Sequence, residues 1–152
     1  MNKRAVRTES APAPFEGAPY SQGIVAGEMI FVSGQLGIDP VQGKVVNGGI
    51  VEQTEQVMKN LSAILAEAGA GLDDVCMTSI FLIDLQDFQA MNEVYARHLT
   101  EPYPARATVE IASLPETIRG YGHIKAASAS AARAKRDELL ARYRSIPIRA
   151  AA

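Results

Sequence analysis

Arg106 follows Pro104-Ala105 and opens a β-prone run that ends at Ala112. A proline fixes the backbone just before the strand. The guanidinium at the strand mouth then offers a planar fork that a small carboxylate can meet with two parallel hydrogen bonds. An edge arginine lying over apolar surface would look the same in isolation. Strand alternation puts Thr108 on the same face as Arg106. Further on, Tyr121-Gly122-His123-Ile124-Lys125-Ala126 carries His123, a residue able to accept and return a proton near neutral pH. His98, near the end of a helical stretch, is most simply a favourable helix C-terminal residue. No histidine and cysteine cluster has metal-ligand spacing, and no Gly-rich phosphate loop is present.

Several elements must position these groups. Residues 1–17, with Ala11-Pro12-Ala13-Pro14, are expected to be a flexible or extended lead-in. Gly23–Ala26 and Met29–Val32 flank Gly27-Glu28 and predict a hairpin. Asp39-Pro40 and Gln42-Gly43 predict a second turn, followed by a short strand over 44–46. Ile50, Thr54, Val57, Met58, Leu61, Ile64, Leu65 and Ala68 recur at helical spacing, and Gly69 supplies the stop. The apolar run 75–83 is too uniform for a solvent-facing edge and predicts a central strand covered on both faces. Asp84 can cap a second helix whose stripe is Phe88, Met91, Tyr95 and Leu99, and which Pro102 and Pro104 forbid from continuing. Two helices against one mixed sheet make an α+β layer architecture.

A chain of 152 residues, 47% of them hydrophobic, can build one substantial core. A formal charge of -2 argues against whole-protein attraction to nucleic acid or membrane. Cys76, within the apolar run, is expected to be a small buried hydrophobe, and a single cysteine suits a reducing compartment. Residues 1–10 carry Lys3, Arg4 and Arg7 without a following apolar core, so no secretory signal is expected. No run is long enough to span a bilayer, and a soluble cytoplasmic protein is the expectation. After Ser128 the composition turns to alanine, arginine and leucine and predicts a helical extension. Its basic residues read first as solvated surface and only second as a contact for RNA, so no nucleic-acid partner is expected.

Ala18-Pro19-Tyr20-Ser21-Gln22, Ser33-Gly34-Gln35, Asn92-Glu93-Val94-Tyr95 and Pro104-Ala105-Arg106 stand in one order at these separations. The ordered set resembles the reactive-intermediate deaminase family (RidA, also called YjgF), from about Pro14 to about Ser128. The resemblance implies a chorismate-mutase-like fold over 18–129, preceded by the 1–17 lead-in and followed by an added 130–152 helical extension. It implies a homotrimer with sites between subunits. It also implies cofactor-free hydrolysis of small 2-imino or enamine carboxylates to 2-oxo acids and ammonia, with Arg106 as the carboxylate anchor. Thr108 then stands where the family often has cysteine. Tyr20, Ser33 and Gly34 are wall positions of the family pocket, and Asn92 reaches it from the second helix. From the residues alone Tyr20 also reads as a packed tyrosine, Ser33-Gly34 as a strand-end turn and Asn92 as a helix surface residue.

The departure lies in the last strand. Deaminating members typically carry a glutamate there, which orients or activates the attacking water. A gapped alignment puts His123 on that position, with Lys125 replacing the acid that follows, and an ungapped one puts Tyr121 there. Histidine can take over proton transfer, but with lysine it makes the pocket more cationic. That favours a ligand with a second anionic group, such as an aminomuconate-like dicarboxylate. The other reading is a non-catalytic carboxylate-binding or regulatory protein that retains Arg106.

Overall fold

The computed structural model describes residues 2–111, 134–138 and 141. The chain divides into two compact units, Met1–Val109 and Glu110–Ala152. In the second, residues 134–138 are helical; the rest of the extension expected over 130–152, apart from 141, lies outside the described residues. Lys135 Nζ donates to Glu138 Oε1 at 3.0 Å, a pairing of residues one helical turn apart.

The first unit begins with strand β1, Lys3–Val6, which pairs antiparallel with β2, Gly23–Ala26. The segment expected as a flexible or extended lead-in therefore carries the first strand of the sheet, and Val6 is fully buried in the core. Strand β2 returns through Gly27-Glu28 into β3, Met29–Val32, with Ala26 opposite Met29. Gly27 has φ +62°, the left-handed conformation that a two-residue hairpin turn requires. Strands β4, Ile38–Asp39, and β5, Lys44–Val45, form the second predicted reversal.

Helix α1 spans Ile50–Ala68. At its N-terminus the Glu52 carboxylate accepts the Gly49 amide at 2.8 Å, and backbone hydrogen bonds hold the Glu52 pKa below its ordinary value. At its C-terminus Gly69 adopts φ +87° and its amide returns to Ala66 O, so the periodic stretch ends where the sequence predicts. Helix α1 meets two clusters. Met58 packs with Leu82, Met91, Tyr95 and Leu99, whereas Ile64 packs with Val6 and Ala11.

Strand β6, Met77–Leu82, leads through a short 3-10 turn, Leu85–Asp87, into helix α2, Phe88–Arg97. Asp84 caps that turn by accepting Gln86 N–H at 2.8 Å, whereas the N-cap of α2 itself is Asp87, so the expected helix cap serves the 3-10 turn before the helix. Strand β7, Ala105–Glu110, then pairs with β6. Among the described residues the ladders fall into three groups, β1-β2-β3, β4-β5 and β6-β7.

Two expectations about the apolar run need correction at the level of one chain. Met77, Phe81 and Ile83 are exposed by 68%, 63% and 67%. The helices cover only the alternate face, where Ile80 and Leu82 contact the core. Cys76 is likewise exposed rather than buried, because it precedes β6 and lies outside both clusters.

Candidate active site

Helix α2 places residues 88, 92 and 95 along one stripe, at i, i+4 and i+7. The Arg106 side chain lies against that stripe. Its Nη1 donates to Asn92 Oδ1 at 2.7 Å, and its Cζ stands 5.4 Å from the Phe88 ring centre and 5.1 Å from that of Tyr95. Both separations are within cation-π range. The Tyr95 hydroxyl is in turn 2.9 Å from Thr78 Oγ1 on β6. Asn92 thus touches the guanidinium directly, whereas the sequence left it open as a helix surface residue.

Two positions along β7, Thr108 Oγ1 is buried and has no hydrogen-bond partner among the described residues. An unpaired buried hydroxyl costs about 1–3 kcal/mol unless something completes it. Its position on the strand that carries Arg106 makes it a candidate contact for a bound polar ligand.

The other candidate residues form a separate group. Tyr20 is 47% exposed, and Ser33 Oγ donates to Ser21 O at 2.6 Å. With Lys3, Ser21 and Phe31 they line an open depression of about 380 Å³. Arg106, Asn92 and Thr108 do not line it. Gly34 follows Ser33 with open space where a Cβ would stand. His123, Lys125 and Tyr121 lie outside the described residues.

Sequence reasoning missed two polar hubs. Gln22 is 3% exposed; its Nε2 donates to the carbonyls of Thr8, Ala11 and Pro12, and its Oε1 accepts Thr8 N–H at 2.8 Å. The amide fastens the N-terminal segment beside Tyr20-Ser21. Asn60, fully buried on α1, donates to Leu36 O at 3.1 Å and Ile38 O at 3.0 Å and so holds the chain after Ser33-Gly34-Gln35. Proline-rich context before Gln22 and an amide inside an apolar helical stripe were the available signals. His98 Nε2 and Glu55 Oε2 lie 3.0 Å apart and tie α1 to the end of α2, and this hydrogen bond is the main cause of a lowered Glu55 pKa. Among the described residues no group of acidic, histidine and cysteine side chains could hold a metal.

The family model described as Endoribonuclease L-PSP matches residues 8–119. The chain belongs to this family, the RidA/YjgF proteins. A RutC family protein of Pyrococcus abyssi is 49% identical over 118 residues, covering 78% of this chain and 91% of the relative. The human 2-iminobutanoate/2-iminopropanoate deaminase is 38% identical over 117 residues, covering 77% of this chain and 84% of the relative. Among solved structures, Escherichia coli TdcF with bound serine superposes with a TM-score of 0.67 at 34% identity, covering 74% of this chain and 90% of TdcF. The α+β arrangement is the chorismate-mutase-like fold of the RidA/L-PSP proteins. The matched stretch ends before His123.

Proposed function

We propose that this RidA-family protein hydrolyses small 2-imino and enamine carboxylates to 2-oxo acids and ammonia. The observation that carries the reading is the guanidinium of Arg106, bracketed by Phe88 and Tyr95 and bonded to Asn92. These three partners are uncharged, so among the described residues nothing offsets the arginine's charge toward an incoming carboxylate. The substrate carboxylate docks on Arg106 and the imine end lies toward Thr108, whose hydroxyl lacks a protein partner among the described residues. Water adds to the imine carbon, forming the C–O bond while the nitrogen takes a proton. The carbinolamine then collapses: its nitrogen takes a second proton, its hydroxyl gives one up, the C–N bond breaks and ammonia departs, leaving the 2-oxo acid. His123 is proposed as the group that handles these protons in place of the family glutamate.

The same reading includes a homotrimer with sites between subunits, in the cytoplasm. Support for assembly comes from the open apolar face of Met77, Phe81 and Ile83, which a folded monomer would leave in water. Support for shared sites comes from the lining of the Tyr20–Ser33 depression, which includes neither Arg106 nor Asn92; in this reading each group supplies one half of a pocket. His123 and Lys125, standing where the resemblance expects acidic residues, favour a further reading, a dicarboxylate enamine as substrate.

Ammonia release from freshly generated 2-iminopropanoate, 2-iminobutanoate and a dicarboxylate enamine tests the proposal. Arg106→Lys keeps charge but loses the fork, and kcat/KM should fall about tenfold or more. Unchanged kcat/KM would remove Arg106 as anchor. Absence of turnover on every substrate, with carboxylate binding retained, would leave a non-catalytic binding protein.

A further inference from the structure

The geometry points to Phe88 and Tyr95 as positioning residues for Arg106, with Thr78 holding the Tyr95 ring in place. The inference rests on the reading of Arg106 as carboxylate anchor and deepens it. An exposed arginine samples many rotamers, and freezing one on ligand binding costs conformational entropy. The usual device against this is a carboxylate partner, which would also offset the charge the ligand needs. Among the described residues the guanidinium instead has its Cζ 5.4 Å from one ring centre and 5.1 Å from the other, with an amide oxygen on Nη1 at 2.7 Å. Ring faces attract the cation without neutralising it. Orientation and charge are thereby kept together.

The bracket is anchored from behind. Tyr95 is buried, and its hydroxyl meets Thr78 Oγ1 at 2.9 Å, so a strand residue fixes the ring that faces the arginine. Phe88 is partly buried against the cluster of Met58, Leu82 and Met91 and has no polar atom to compete for the guanidinium. On this account Tyr95 and Phe88 do more than fill the apolar stripe of α2. They act through Arg106.

The test uses the full chain, with pyruvate as the carboxylate probe. In Phe88→Leu the dissociation constant for pyruvate and KM for 2-iminopropanoate should rise about three- to tenfold while kcat changes less than twofold. Phe88→Trp should restore both. Nitrogen-15 NMR of Arg106 should show rotation about its Nε–Cζ bond slowed in the parent and faster in Phe88→Leu. Tyr95→Phe and Thr78→Val should each give a similar, smaller effect, and the double variant no more than either, because both break one bond. Equal guanidinium rotation in parent and Phe88→Leu, or equal loss of affinity in Phe88→Leu and Phe88→Trp, would overturn the inference. Should Phe88→Leu fail to fold, Thr78→Val decides the matter by the same rotation measurement. Failure of the anchor reading is separate: pyruvate would then bind Arg106→Lys as tightly as the parent, while the NMR readout would still report the bracket.

Discussion

Gln22 offers the sharpest test of the structure. Its Nε2 serves Thr8 O, Ala11 O and Pro12 O, each at 3.0 Å, and its Oε1 takes Thr8 N–H. The bond to Ala11 is buried and the others are partly buried. Gln22→Ala leaves one fully desolvated carbonyl, at about 1–3 kcal/mol, and groups that water partly reaches, so the expected loss is about 2–4 kcal/mol. With a urea dependence of about 2 kcal/mol per molar, the unfolding midpoint should fall by about 1–2 M at fixed protein concentration. Gln22→Glu separates hydrogen bonding from volume. One carboxylate oxygen can still accept Thr8 N–H, but the other faces three carbonyl oxygens. The carboxyl pKa is therefore raised in the folded state above its unfolded value of about 4.3. The unfolded state releases the proton first, so the variant loses stability as pH rises through that window, and the deficit shrinks as pH falls toward 4 and the protonated acid donates again. Circular dichroism in urea between pH 4 and 8 reads both effects. A Gln22→Ala loss under about 0.5 kcal/mol, or a Gln22→Glu deficit that does not change with pH, would refute the argument.

Glu55 accepts from His98 and its pKa is lowered, so its contribution is present above the usual carboxylate range and lost as pH falls through the lowered folded value. The melting temperatures of parent and Glu55→Gln should differ at pH 7 and converge on acidification, as calorimetry across pH 3–7 will show. Phe81→Glu changes a residue that is 63% exposed in one chain, so it should leave the secondary structure intact yet shift light scattering to smaller species. An unchanged assembly would exclude that face from the interface. Truncation after Ser130 should leave a folded oligomer with parental turnover, because it keeps the matched residues 8–119 and the whole resemblance to about Ser128. His123→Ala should abolish ammonia release and remove its rise with pH across the imidazole range, whereas parental rates would show that another group handles the protons.

Those parts of the molecule that depend on near neighbours were legible from the residues. The Gly27-Glu28 hairpin and the Gly69 helix stop are decided within a few positions along the chain. The ordered segments Tyr20-Ser21, Ser33-Gly34, Asn92 and Pro104-Ala105-Arg106 carried the family, and the family model agrees. Periodicity also found the α2 stripe, but as packing alone. That Phe88, Asn92 and Tyr95 close on Arg106 required the fold, since residues 11 to 18 apart in sequence meet only when β7 lies against α2. Gln22 and Asn60 are of the same kind, with acceptors up to 14 and 24 positions away. The exposed face of 77–83 shows the same limit from the other side: an apolar run states that both faces avoid water, and only the tertiary structure reveals that one chain covers just one. Backbone conformation follows from steric rules acting over a turn or two, whereas the partner of a polar or apolar side chain is set by which distant surface the completed fold brings against it.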